Sequence, residues 1–260
     1  MSLSNAVTTL MTRNLQKLGY PTGDIRWSLG YCQGDGSSFS GSLDIAVLGP
    51  RLLPEISQEI WASIDCDLEI VRSRSCRYVH ERSVDLNIDT LCVEQTDASE
   101  YGGVAQKVAL HKLVGALEDD ILKASFKNSA DGYKLIESFV SEDTLAWRFR
   151  TASFLVELFK INDEDCSPFD LYDEGDQLDG VISSILEGKT SIFGTKVVVS
   201  LLDDDGDAST VLAESYLGGF SCDSNDASLG GMRREVVSEA ISMAREAYQK
   251  LLRPRLKAAA

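Results

Sequence analysis

The sequence predicts an α+β fold, with antiparallel sheet elements at both ends of the chain and a helical middle. Three features predict it. Apolar and polar residues alternate with a period of two near both ends, glycine- and aspartate-rich turns join those runs, and apolar residues between Tyr101 and Ile161 recur at helical spacing. The expected organisation is an α+β part over 1–95, a helical middle with an acidic segment over 96–190, and a hairpin plus long helix over 191–257. All three can equally close into one compact domain.

Ser4 caps a first helix whose apolar face is Val7, Leu10, Met11, Leu15 and Leu18, with Gly19 ending it. "DIRWSLGYC" alternates Ile25, Trp27, Leu29 and Tyr31 as a half-buried strand; "QGDG" turns, and "SFSGSLDIAVLG" returns as its partner. "LLPEISQEIWASI" reads as a short helix, and further strands are expected at Leu68–Arg72 and Arg77–Leu91. In the middle, Leu110, Val114, Leu117 and Ile121 form a helical stripe, and a second helix is expected over Gly132–Val140. A strongly apolar third one is expected over Thr144–Ile161, as a central core helix or the seam of a homodimer. A helix near Val181–Leu186 precedes the strand "KVVVSLL", the turn "DDDGDAS" and the strand "TVLAESYLGGF". Val237, Ile241, Ala244, Tyr248 and Leu251 then mark a last helix.

Composition narrows the function classes. The chain has 260 residues, 43% hydrophobic and 25% charged, as expected of a folded globular protein. No apolar run approaches the roughly 18–20 residues that cross a bilayer, and "MSLSNAVTTL" lacks the basic flank and apolar core of a secretory signal. Six scattered cysteines without a CxxC pair are expected to be reduced thiols, which makes the cytoplasm the expected compartment. With 41 acids against 25 bases the net charge is −16. Such a surface is expected to repel nucleic acid and anionic membrane and to favour a basic protein partner.

"WSLGYCQGDGSSFSG" is the stretch richest in chemistry-bearing residues. Its glycines, Gly34, Gly36 and Gly41, match neither GxGxxG nor GxxxxGK[ST]; no lysine is near, and a strand follows rather than a helix, so a phosphate cradle is not expected. Gln33, Gly34, Asp35 and Gly36 are expected to form a structural turn. Cys32 or a nearby serine is the candidate nucleophile, with His80 and His111 the two imidazole bases and Cys32 with His80 the favoured pair, although no GxSxG elbow or cysteine-protease signature accompanies it. His111 borders an apolar stripe and reads as a packed residue. Two histidines and no CxxC speak against zinc. EF-hand frames set on Gly175 or Gly206 place Val181 at the bidentate position or start on Leu201, so neither holds calcium. No metal or cofactor is implied.

The acids are the principal candidates. Between Ile161 and Gly188 stand Asp163, Glu164, Asp165, Asp170, Asp173, Glu174, Asp176, Asp179 and Glu187, with no lysine or arginine. The turn at the last hairpin adds Asp203, Asp204, Asp205 and Asp207. Closely spaced carboxylates repel one another unless water or a partner neutralises them. Phe169, Leu171 and Tyr172 lie among them, and apolar anchors inside a charged rim are what a specific interface uses. The expected site is therefore this acidic set with Tyr172.

The residues Trp27, Gly30, Tyr31, Gln33, Gly34, Asp35, Gly36 and Phe39 resemble an aromatic-strand QGDGxxF motif of mostly uncharacterised phage and plasmid proteins. "RYVHERSVDLNID" and "ESYLGGFSCDSND" are similar to later segments of the same proteins. The resemblance covers about a third of the chain and implies a mobile-element, phage context. In size and charge the chain is also similar to acidic phage inhibitors of host nucleic-acid enzymes. One of these is the giant-phage protein that covers the RNA-binding surface of the host degradosome ribonuclease as an acidic dimer. No residue motif is shared with that class. The resulting expectation is a non-enzymatic homodimer that binds the basic surface of such an enzyme, without contacting nucleic acid itself. A small Cys/His hydrolase or transferase and a phage structural protein are the alternatives.

Overall fold

The computed structural model describes residues 2–88, 103–170, 172 and 175–252. Among these the architecture is α+β, with two four-stranded antiparallel sheets and six helices. The chain divides into two compact units, residues 7–133 and residues 1–6 with 134–260.

In the first unit, helix α1 (Ser2–Leu18) buries Val7, Leu10, Met11 and Leu15, the stripe that the sequence predicts. Strands β1 (Asp24–Ser28) and β2 (Gly36–Ser42) pair in a hairpin, and β3 (Leu68–Arg72) and β4 (Val84–Ile88) complete the sheet in the order β1-β2-β3-β4. The first strand is shorter than the expected run to Cys32, because the backbone turns after Ser28 and Tyr31 takes a φ of +58°. The returning strand also stops early. Asp44 accepts from the amides of Ala46 and Val47 (2.9 and 3.3 Å) and so caps α2 (Ile45–Leu52), where a strand was expected to continue. The helix expected over 52–64 is reduced to α3 (Gln58–Ala62). The strand expected over Arg77–Leu91 begins only at Val84. Residues 73–83 instead form a loop closed by the Ser73 amide on the Ser83 carbonyl (2.8 Å), and residues 89–91 lie outside the described residues.

Helix α4 (Val104–Glu137) replaces the two helices expected between 101 and 140. Gly132 does not interrupt it. A Cβ there would stand 2.5 Å from Leu29 Cδ1 and 3.2 Å from Met11 Cε, so this glycine serves close packing within the helix. Leu110, Leu113, Leu117, Ile121 and Ala124 of α4 join Phe39, Leu48, Trp61, Leu68 and Ile70 in the core of this unit. The buried Asn128 and Asp131 are satisfied by Asn14 Nδ2 (3.1 and 3.0 Å).

In the second unit the expected apolar helix over Thr144–Ile161 is a hairpin, β5 (Thr144–Arg150) and β6 (Phe154–Ile161). A helical dimer seam therefore does not exist there. The apolar density of "TLAWRFRTASFLVELFKI" fits both periods, but Trp147 and Phe149, and again Val156 and Leu158, recur every second residue. Aromatic and β-branched side chains favour the pleated arrangement. Thr151 Oγ1 fixes the turn by accepting from the Phe154 amide (2.9 Å). Strands β7 (Thr190–Leu202) and β8 (Ala208–Asp223) follow α5 (Asp176–Leu186), giving the order β5-β6-β7-β8. The final helix α6 (Arg233–Leu252) places Val236, Val237, Ala240 and Ala244 against Val156, Leu158, Val197, Val199 and Ala213. The sheets thus lie in the N-terminal half and the C-terminal region, and the middle is not wholly helical.

Candidate functional site

All described members of the acidic set belong to the second unit, between β6 and the C-cap of α5 and at the β7–β8 tip. Asp163 follows β6 and is a structural tie: its Oδ2 accepts from the Gly219 amide at 2.7 Å. Glycine is needed opposite it, since a Cβ on Gly218 would approach the same oxygen to 2.6 Å. Glu164 accepts from Asn162 Nδ2 (3.1 Å), and its carbonyl receives the Leu3 amide (3.2 Å). Asp165 and Asp170 are exposed. Burial pushes the Cys166 thiol up to about 11, with the charges of Asp163 and Asp170 adding to the effect.

Asp176 and Asp179 occupy the first turn of α5, where the positive end of the helix dipole favours them. Tyr172 is 38% exposed, whereas Phe169 is only 5% exposed and belongs to the core. Leu171, Asp173 and Glu174 lie outside the described residues.

The second place is the β7–β8 tip. Asp203 Oδ1 accepts from the Asp207 amide (2.8 Å), the Asp203 carbonyl receives the Gly206 amide (3.0 Å), and Arg150 Nη2 donates to the Gly206 carbonyl (2.7 Å). Asp204 and Asp205 are left pointing to solvent. Neither they nor Asp176 make a side-chain hydrogen bond or ion pair to the described residues. The two acidic places do not merge. Gly194 abuts Asp163, and Asp203 stands nine residue steps further along the chain, about 30 Å at ~3.3 Å per residue.

The QGDG turn lies in the other unit and has a different character. Asp35 collects five donors: the amides of Gly30 (2.6 Å) and Cys32 (2.9 Å), the hydroxyls of Ser28 (2.8 Å) and Tyr133 (2.7 Å), and the Cys32 thiol (3.2 Å). The Cys32 amide, then the Tyr133 hydroxyl, hold its carboxyl well below the usual carboxylate range. Tyr31 stacks on Tyr133 with ring centroids 4.6 Å apart.

Gly34 and Gly36 are required by the 73–83 loop, which lies directly on them. A Cβ on Gly34 would enter the Tyr78 ring, and one on Gly36 would reach the His80 Cα at 2.6 Å. Gln33 is exposed.

Cys32 and His80 have separate partners. The Cys32 thiol donates to Asp35, which pushes its pKa up and disfavours the nucleophilic thiolate. His80 Nε2 stands 3.0 Å from Cys76 Sγ, a neighbour four residues away that no sequence motif marks. His80 Nδ1 accepts from the Arg82 amide (3.0 Å), so in the neutral ring Nε2 carries the proton toward sulfur. That orientation buckles the loop; a general base would present a lone pair to the thiol.

The five described cysteines are free thiols. Among the described residues no group of three or more His, Cys, Asp or Glu is placed to hold a metal ion, and no helix is long and apolar enough to cross a membrane. No family model, curated protein or solved structure matches the chain.

Proposed function

We propose that this chain is a phage-encoded, non-enzymatic protein that binds a host nucleic-acid-processing enzyme, such as the degradosome ribonuclease, and blocks its substrate. The contact is electrostatic: exposed carboxylates occupy the basic DNA- or RNA-binding surface of the enzyme. The observation that carries this reading is the outward set Asp176, Asp204 and Asp205, which the fold leaves without side-chain partners among the described residues. Unneutralised carboxylates held on strand ends and a helix start are charge available to a partner. Their spacing adds a constraint. Asp163 and the β7–β8 tip, about 30 Å apart along β7, would match roughly nine phosphate steps along one strand, so an extended basic groove suits the two acidic places better than a single pocket. A homodimer doubles this surface, and β5, at one edge of its sheet, offers its outer edge for pairing.

The test is affinity capture from bacterial lysate with mass-spectrometric identification, using the wild type and the variant D170N/D176N/D204N/D205N. Recovery of a nucleic-acid enzyme that is lost in the variant and at 0.5 M salt (roughly a 4 Å Debye length) supports the reading. Recovery of metabolic enzymes alone, or of the same enzyme by the neutralised variant, overturns it.

A further inference from the structure

Besides its two acidic places, the second unit carries a groove between β5 and α6 with a basic lining. Two adjoining cavities of about 530 and 290 Å³ share Ile241 and Arg245. Their walls carry Trp147 and Phe149 from β5, and Arg233, Arg234, Arg245 and Tyr248 from α6. The Trp147 and Phe149 rings lie within 8° of parallel with centroids 6.1 Å apart, and Phe149 is 50% exposed. The Arg233 guanidinium sits 5.8 Å from the Trp147 ring centre. The acids of α6, Glu235, Glu239 and Glu246, line neither cavity. In sequence, residues 233–257 hold seven bases and three acids, in a chain whose net charge is −16.

From this groove we infer that the protein has a binding site for single-stranded nucleic acid. A half-buried Trp147 and an exposed Phe149 flanked by guanidinium groups supply the combination that unstacked bases and their phosphates use, and it needs no base-specific contact. Length selects a strand over a mononucleotide. The lining residues run from Arg233 to Tyr248 along α6, a rise of about 22 Å at ~1.5 Å per residue. The overall negative charge does not oppose this, because at physiological salt a charge is felt over about 8 Å. The side chains that line the groove include three arginines and no carboxylate. Strand capture goes beyond the acidic docking proposed above and stands independently of it.

A fluorescein-labelled 12-mer of deoxythymidylate, titrated with the full chain at 50 mM salt and followed by anisotropy, tests the site. Wild type is expected to bind with a log K against log salt slope near −2, the value for about three neutralised phosphates. R234Q/R245Q, which alters two exposed side chains outside the core, is expected to weaken binding at least tenfold. In W147F a ring remains, so affinity is expected to change less than threefold while the oligonucleotide-induced quenching of tryptophan fluorescence is lost. Circular dichroism of each variant checks that the fold persists. Absence of binding by wild type, equal binding by R234Q/R245Q, or quenching retained in W147F overturns the site. Equal competition by polyglutamate also overturns it, because an acidic peptide would then be the occupant.

Discussion

Two hairpin tips, both built around glycine and aspartate, do opposite things in this molecule. At the β1–β2 tip Asp35 is saturated by five donors, and Gly34 and Gly36 are covered by a second loop. At the β7–β8 tip only Asp203 is used to close the turn, while Asp204 and Asp205 face water. The tip that is richer in chemistry-bearing residues is consumed by its own fold, and the plainer one keeps its charge for the outside. A carboxylate is informative about function in proportion to what the structure leaves unsatisfied, not to how motif-like its neighbours are.

The sharpest way to break this comparison is to add a methyl group at each tip. Gly36→Ala forces a Cβ against the His80 backbone at a φ of +155° and is expected to cost about 3 kcal/mol, strain and overpacking together. Gly206→Ala meets only the flexible end of Arg150 at a φ of +86° and is expected to cost about 1 kcal/mol. Urea midpoints at constant m-value measure both. Similar costs at the two tips would remove the distinction.

Acid titration comes next. Because the folded Asp35 carboxyl is held below its unfolded value near 3.9, the stabilisation it provides is complete above that pH. It is lost progressively as the pH falls below about 4. Asp35→Asn is therefore expected to flatten the acid limb of the stability profile between about pH 4 and 2, and an unchanged limb would mean that the five donors do not hold this carboxylate.

The smallest expected effect is chemical. Asp35 keeps the Cys32 thiol protonated, so Asp35→Asn is expected to raise the alkylation rate of Cys32 severalfold at pH 8. Peptide mapping by mass spectrometry reads this rate beside that of Cys66 as an internal reference. An unchanged ratio would mean that the 3.2 Å contact has no hold on the thiol.

Much of the fold was legible in residue order. The α1 stripe, the β7–β8 hairpin and the α6 face follow from spacing alone, because each element buries one side and exposes the other. The segment Thr144–Ile161 was not legible. Its aromatic and aliphatic residues are dense enough to satisfy a period of 3.6 as well as 2, and only pairing with β7 settles the matter. Gly132 misled in the same way: its role is set by Leu29 and Met11, more than a hundred residues distant.

The acids of the candidate surface were legible as two runs, but the distance between them was not, since strand length converts to distance only once β7 is known to run between them. The groove between β5 and α6 was invisible for a related reason. Trp147 and Arg245 stand 98 positions apart, and an average charge of −16 conceals a local excess of arginine.

By itself, then, the sequence determined the α+β class, the strong negative charge and the turn-forming character of "QGDG", all properties of composition and near-neighbour spacing. Tertiary structure alone decided that Asp35 is sequestered, that His80 faces Cys76 rather than Cys32, and that Asp204 and Asp205 remain outward. Those outcomes depend on backbone geometry as much as on sequence distance: most donors to Asp35 are near neighbours brought in by the turn, and Tyr133 arrives from 98 residues away.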